Sequence, residues 1–258
     1  MRAISRWLVF VGVLVLVAGV TLWVVLANRK PPPPSCTASG YQLSPQQAQN
    51  AATIAAVGDR LGMPDHAVTV ALATALQESK LVNLTGGDRD SAGLFQQRPS
   101  QGWGTYEQVT DPVHAATAFY QRLRAQPNWT ELSVTEAAQL VQRSAAPDAY
   151  AQWEPEARAF AGALTGQTPG ALACGDLVFG TTTADLVNTA GAELGTAVLS
   201  GRHDVARGWA MASWLVANAV RFGVDQVTFD GRTWTAASGA WAATGPADGI
   251  LSLHRRTP

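Results

Sequence analysis

Charged residues are scarce in this chain: Asp, Glu, Lys and Arg make up 14% of its 258 residues, and the formal net charge is −1. Proteins that hold nucleic acid through its phosphates carry a basic surplus, so nucleic acid is not an expected partner. Histidines number only four, and the C-terminal part offers just His203, Asp204 and a lone His254. Zinc needs at least three convergent protein ligands, so we expect no metal site and no other cofactor.

Cysteine is also rare, with only Cys36 and Cys174 in the chain. Two cysteines at the entry and the exit of one domain indicate a disulfide that joins its ends, although two unrelated thiols are an alternative. A bond that closes so long a loop contributes about 4–5 kcal/mol in the chain-entropy model. It persists only in an oxidising compartment, which places the residues after 30 outside the cytoplasm.

Charge is absent altogether from residues 7–27. At ~1.5 Å per residue this segment is long enough to cross a hydrocarbon core of ~30 Å, and we interpret it as a single-pass anchor after a cytoplasmic segment of residues 1–6. A cleaved signal peptide is the alternative, but its hydrophobic region usually has only ~7–15 residues. Residues 28–35 follow as a proline-rich linker, which is stiff and extended.

Helix start signals are frequent between residues 44 and 165. Capping boxes, in which an N-cap hydroxyl and a Glu or Gln three residues later exchange hydrogen bonds with the backbone, stand at Ser44–Gln47 and Ser133–Glu136. Further helices are predicted to begin near Asp65, Asp111 and Glu154. The glycine-rich stretch 83–106 shows no helical period, and so long a loop in a compact domain is usually functional.

The remainder of the chain, after a Thr-Pro-Gly-Ala linker at 167–173, has a different pattern. It predicts one helix and then short strands around the Asp230-Gly231 turn signal; the segments are 206–222, 226–229, 232–235 and 250–253. We interpret this part as a small α/β domain with an accessory or partner-binding role, whose protein partners the sequence does not identify.

Two carboxylates suggest chemistry. Glu78 follows the apolar helical stretch 71–76, and poor solvation raises the pKa of a carboxyl group, so that a proton stays available near neutral pH. A general acid for a glycosidic oxygen requires this property. Asp88, in the glycine-rich loop, is a candidate second carboxylate that would position water or act as nucleophile, depending on its distance from Glu78. A solvated helix-end Glu and an Asp in a local turn are the alternatives.

The loop also carries groups suited to sugars. Gly93 would let the backbone approach a ligand closely. Gln96 can both donate to and accept from an acetamido group. Trp103 and Tyr106 offer flat surfaces for a sugar ring, with ordinary packing as the alternative for each.

The segments Leu76-Gln77-Glu78-Ser79 and Gly93-Leu94-Phe95-Gln96 together resemble the Glu-Ser … Gly-Leu-Met-Gln pattern of soluble lytic transglycosylases and goose-type lysozymes. Gly87-Asp88-Arg89 is similar to the goose-type arrangement. The resemblance covers about residues 44–165. It implies a lysozyme-like, mainly α fold and cleavage of the β-1,4 bond between N-acetylmuramic acid and N-acetylglucosamine.

Carried over residue by residue, Glu78 matches the catalytic acid, Asp88 the goose-type second carboxylate, and Gln96 a glutamine of the sugar groove. The substrate-binding residues expected with Gln96 are Ser79, Phe95, Trp103 and Tyr150. Phe95 replaces the methionine of the pattern. Tyr150 is a weak stand-in for the tyrosine of the Ala-Tyr-Asn motif that transglycosylases carry.

The expected organisation is a cytoplasmic N-terminus (1–6), an anchor (7–27), a linker (28–35), a lysozyme-like domain (36–174) and a small α/β accessory domain (175–258). The expected function is cleavage of peptidoglycan glycan strands at the cell membrane, with the domains outside the cytoplasm. Hydrolase and transglycosylase routes both remain open. A glycan-binding scaffold without turnover and a subunit of a transport or envelope complex are the alternatives.

Overall fold

The computed structural model describes residues 32–182 and 184–256, together with Thr21, Trp23 and Asn28. Apart from Thr21 and Trp23, the predicted anchor therefore lies outside the described residues. No helix within the described part is long and apolar enough to cross a membrane. From Pro34 onward the chain forms one unit, a mixed α/β structure with a helical majority and two antiparallel sheets. The predicted helical majority is confirmed.

The first sheet joins the two ends of the predicted main domain. Its strands are β1 (Ser35–Ala38), β2 (Tyr41–Leu43) and β3 (Leu172–Gly175), in the order β2-β1-β3. Cys36 lies opposite Cys174 in the antiparallel register of β1 and β3, and the two form a disulfide. The disulfide prediction is confirmed. The end of the predicted linker at 167–173 is a strand instead, because its backbone pairs with β1.

Six helices follow the first sheet hairpin, and most begin where the sequence predicts. They are α1 (Pro45–Arg60), α2 (Asp65–Ser79), α3 (Tyr106–Val109), α4 (Pro112–Arg124), α5 (Val134–Gln142) and α6 (Glu154–Leu164). Both predicted capping boxes form, at Ser44 and at Ser133, and the Asp111 side chain accepts a hydrogen bond from the His114 backbone. Short 3₁₀ segments cover Pro99–Gln101, Trp129–Glu131 and Pro147–Trp153.

Helix α2 is the centre of this helical part. Its apolar residues occur on every face, which is typical of a helix surrounded by protein, and residues 67–76 are all buried. The helix contacts α1, α4, α5 and α6. The hydroxyls of Thr69 and Thr74 donate to carbonyls one turn earlier, so burial leaves neither donor unpaired. Glu78 therefore stands near the end of a deeply packed helix.

The C-terminal part contains three helices and a five-stranded antiparallel sheet in the order β4-β8-β5-β6-β7. The helices are α7 (Leu186–Leu194), α8 (Val205–Ala217) and α9 (Ala219–Phe222). The strands are β4 (Gly201–Arg202), β5 (Val224–Phe229), β6 (Arg232–Thr235), β7 (Ala240–Ala243) and β8 (Ile250–Arg255). Asp230 and Gly231 both have positive φ between β5 and β6, as a two-residue hairpin turn requires.

The C-terminal part packs directly on the helical part. Helix α8 contacts α1, α6 and β3. The buried carboxylate of Glu193 accepts hydrogen bonds from Thr53 of α1 (2.9 Å), from the Trp214 indole (2.8 Å) and from Arg221 (2.9 Å). The Trp234 indole donates to the Cys174 carbonyl at 3.1 Å. The Glu193 carboxylate and the Cys174 carbonyl therefore each connect the helical part to the C-terminal part.

Candidate active site

The turn that ends α2 fixes the position of Glu78. Lys80 and Leu81 both adopt positive φ, which costs roughly 1–2 kcal/mol for each residue other than glycine. Two side chains of α1 hold this turn, because Gln47 donates to the Lys80 carbonyl and Asn50 to the Leu81 carbonyl, each at 2.8 Å. Backbone strain that is held by neighbouring groups is common at functional sites.

The Glu78 carboxyl group is half-buried and receives one direct hydrogen bond from a distant part of the chain. The Tyr150 hydroxyl, 72 residues away in sequence, donates to Glu78 Oε1 at 2.8 Å. Burial raises the pKa of Glu78 above its ordinary value, against smaller lowering effects of Tyr150, Gln142 and the positive charge of Lys80. The proton is therefore held to a higher pH than on a solvated glutamate, as a general acid requires.

Gln142, at the end of α5, is a member of this site that the sequence analysis missed. Its side-chain nitrogen donates to the Phe95 carbonyl at 2.8 Å, and its amide also favours the ionised form of Glu78. The Trp153 indole likewise donates to Gln77, at 2.8 Å, and the Lys80 ammonium lies 3.9 Å from the centre of the Trp153 ring. No local sequence pattern identifies these residues, because their spacing from Glu78 is set by helix packing.

Ser79 connects the end of α2 to the glycine-rich loop. Its hydroxyl is buried and lies 2.7 Å from the Leu94 carbonyl and 3.0 Å from the Ala75 carbonyl. Gly93, next to Leu94, has a φ of 80°, and a Cβ atom there would lie 2.0 Å from the Val109 carbonyl. The close backbone approach predicted at Gly93 is therefore to α3 within the protein, and Ser79 positions the loop.

Gln96 is held inside the same loop. Its carbonyl oxygen accepts from the Ser91 hydroxyl at 2.9 Å, and its nitrogen donates to the Gly93 carbonyl at 3.2 Å. A Cβ atom on Gly87 would fall 1.7 Å from the Gln96 oxygen. Gly87 is thus required for Gln96 to pack there, which gives a structural reason for the glycine that precedes Asp88.

The two loop aspartates differ in environment. Asp88 is exposed, with 90% of its side chain accessible, and its nearest charged partner is Arg89 at 3.9 Å. Asp90 accepts from Arg98 at 2.8 Å and from the Ser100 backbone at 2.7 Å, and these bonds hold its pKa well below the usual range. Asp90 therefore stabilises the loop, whereas Asp88 has no hydrogen bond or ion pair to Glu78 in the described structure.

The three aromatic candidates are less accessible than a sugar platform requires. Phe95 is fully buried and its ring stacks on Phe119 with centroids 4.7 Å apart, so it belongs to the core. Tyr150 is buried and contacts Glu78 through its hydroxyl. Trp103 is 7% exposed, and the Arg122 guanidinium lies 3.5 Å from its ring centre. Of the aromatics near the loop, Tyr106 remains exposed, and its hydroxyl donates to the Thr85 carbonyl.

Comparison with known proteins shows a similarity in the C-terminal part. Residues 188–250 are similar to the family described as "VldE, C-terminal domain". This segment extends from α7 to the first residue of β8 and does not include Glu78 or the glycine-rich loop. No curated protein matches the chain.

Proposed function

We propose that this protein is a membrane-anchored, peptidoglycan-cleaving enzyme with a lysozyme-like helical part, in which Glu78 is the general acid at the β-1,4 bond between N-acetylmuramic acid and N-acetylglucosamine. The observation that carries the proposal is the half-buried Glu78, whose pKa is raised and whose carboxyl group is oriented by Tyr150. The membrane anchor rests on the apolar residues 7–27, and the location outside the cytoplasm rests on the disulfide, which persists in an oxidising compartment.

The environment of Glu78 fits both halves of such a reaction. Burial keeps the carboxyl protonated until it gives the proton to the glycosidic oxygen, while the C1–O bond breaks and positive charge develops on the sugar ring. The resulting carboxylate then receives a hydrogen bond from Tyr150, with Gln142 nearby. One group can therefore act first as acid and then as base.

The exposure of Asp88 favours the route with a single carboxylate. In this route the Glu78 carboxylate takes the proton from the C6 hydroxyl of the muramic acid residue, and that oxygen forms the new bond to C1. The product is a 1,6-anhydro sugar, and Glu78 is protonated again for the next cycle. A hydrolase would instead use a second carboxylate at about 5–9.5 Å from the acid.

Mass spectrometry of digested peptidoglycan tests the proposal directly. The full chain, its Glu78→Gln variant and a Glu131→Gln control would be incubated with purified sacculi; Glu131 is exposed and lies outside the site. We expect soluble muropeptides from the parent and the control only, with masses lower by one water than the hydrolytic products. Products of hydrolytic mass would replace the transglycosylase route by hydrolysis. Absence of release by a folded parent would reject the enzyme and favour a binding scaffold.

A further inference from the structure

A cavity of about 340 Å³ lies beside the proposed catalytic site and has an unusual charge. Its lining includes Trp103, Arg122, Gln142 and Arg143, and none of the lining residues is acidic. Gln142 is shared with the environment of Glu78. We call this space the arginine cavity. Its two formal charges are both positive, in a chain whose net charge is −1.

Arg122 is held rigidly in the wall of the arginine cavity. Its guanidinium stacks on the Trp103 ring at 3.5 Å, and Nη2 donates to the carbonyls of Gln101 (3.2 Å) and Gly102 (2.8 Å). Partial burial, and then the charge of Arg143, lower the pKa of Arg122. The guanidinium still remains protonated at physiological pH, because arginine is not deprotonated in proteins.

Arg143 is placed by the end of α5. It has a φ of 54° and caps the helix, with its backbone N–H donating to the Gln139 carbonyl at 2.8 Å. Its side chain is exposed. In the part of the chain that the structure describes, no carboxylate forms an ion pair with Arg122 or Arg143.

Two neighbouring guanidinium groups repel each other, and partial desolvation strengthens this repulsion. The protein provides no carboxylate to relieve it, although carboxylates neutralise Arg98, Arg158 and Arg207 elsewhere. Guanidinium groups bind carboxylates through two parallel hydrogen bonds. A ligand carboxylate between Arg122 and Arg143 would therefore remove the repulsion and use donors that the protein leaves available.

We infer that the arginine cavity binds a carboxylate of the peptidoglycan substrate, so that the enzyme selects glycan strands that carry acidic groups over neutral glycans. The inference rests on the proposed function, because the cavity adjoins Glu78 through Gln142. Muramic acid supplies such a group in two forms: the lactyl carboxylate itself, or the carboxylates of a peptide attached to it. Both present the same chemistry to the two arginines.

Binding measurements on a catalytically inactive background test this inference. The full chain with Glu78→Gln would be titrated with three soluble ligands: a peptide-bearing muropeptide tetrasaccharide, the same strand after amidase removes the peptide, and a neutral chitin tetrasaccharide. The variants are Arg143→Gln, the charge-retaining Arg143→Lys, and Arg158→Gln as a matched control. Arg158 is exposed and pairs with Glu154 on α6. Arg122→Gln provides a second variant, with thermal unfolding to verify its fold.

We expect Arg143→Gln to weaken binding of an acidic strand about tenfold, the effect of losing one strong charge-assisted interaction. Arg143→Lys keeps the charge but not the two parallel hydrogen bonds, so it should cause a smaller loss than Arg143→Gln. Chitin binding should not change. A loss confined to the peptide-bearing strand assigns the cavity to peptide carboxylates, because the lactyl carboxyl of that strand is in an amide bond. A loss confined to the amidase-treated strand assigns it to the lactyl carboxylate, and a loss for both shows that either carboxylate binds. The inference is overturned if Arg143→Gln loses the same affinity for all three ligands, or no more affinity than Arg158→Gln. Either result leaves the proposed function standing. A parent that binds none of the ligands rejects both.

Discussion

Tyr150→Phe is the most direct test of how the fold prepares Glu78. The substitution removes one hydroxyl and keeps the ring, which is fully buried, so the core packing is preserved. The lost hydroxyl donates to Glu78 Oε1 at 2.8 Å. A hydrogen bond to a charged group contributes about 1.5–3 kcal/mol. Since Glu78 is only half-buried, we use the lower end of this range, which corresponds to about tenfold in rate.

The sign of the pH effect follows from the same bond. Tyr150 donates to the carboxylate and thereby lowers the pKa of Glu78, against the larger raising effect of burial. Removing the hydroxyl must raise that pKa further. We therefore expect kcat to fall about tenfold and the alkaline limb of the kcat/KM profile, which reports the free acid, to move to higher pH. Release of soluble muropeptides at a series of pH values measures both quantities.

Tyr106→Phe is the matched control, because it removes a hydroxyl that also donates to one acceptor, the Thr85 carbonyl at 2.7 Å. We expect its pH profile to follow that of the parent. Glu78→Gln removes the proton donor itself and should cost about 10²–10⁴-fold, more than Tyr150→Phe. An alkaline limb that stays in place in Tyr150→Phe, or moves to lower pH, would refute the proposed role of Tyr150.

Three further predictions concern stability. Folding raises the pKa of Glu78, so the contribution of this group to the free energy of unfolding is present at low pH and is lost as the pH rises above about 4.5. The Glu78→Gln variant should therefore have the same free energy of unfolding as the parent near pH 4 and a higher one at pH 7. Urea titrations at the two pH values measure both. Replacing Cys36 and Cys174 with serine opens a loop with a separation of 138 residues and should lower that free energy by about 3–5 kcal/mol; an unchanged denaturation midpoint would contradict this. Glu193→Ala removes the acceptor that Arg221, Thr53 and Trp214 share, and it leaves the buried Trp214 indole without its partner. Thr53 and Arg221 keep a second acceptor each, so the substitution should cost about 2 kcal/mol; a cost below about 1 kcal/mol would show that the network contributes little.

The local structure of the helical part could be predicted from short-range patterns. The capping boxes at Ser44 and Ser133 form because each donor and acceptor lies within three residues of its partner. The hairpin at Asp230-Gly231 forms for a similar reason, since its two positive φ angles are local requirements. In contrast, β1 and β3 were not predicted. Each is only four residues long. β1 pairs with the nearby β2 and with β3, whereas the partner of β3 in this sheet is more than a hundred residues away.

The site shows the same division. The sequence indicated the apolar neighbourhood of Glu78, because an acidic residue after a run of apolar residues is visible within one helix. It also named Tyr150, but not its function, because the bond to Glu78 depends on how the 3₁₀ segment Pro147–Trp153 packs against α2. Phe95 and Trp103 had the right chemistry for sugar stacking. Their burial against Phe119 and Arg122 is decided by the core.

The sequence by itself thus determined where most helices of the helical part begin, that the two cysteines pair, and which carboxyl group has an apolar neighbourhood. It did not determine that the C-terminal part has three helices, of which the predicted segment 206–222 covers only two. The positions of helices and the neighbourhood of a carboxyl group depend on residues a few positions apart. The cysteine pairing follows because each of the two cysteines has only one possible partner. The tertiary structure decided which side chains surround Glu78, that Asp88 remains exposed, and that two arginines line one cavity beside the site. Such juxtapositions depend on helix packing, in which the contacts that fix a side chain come from all parts of the chain.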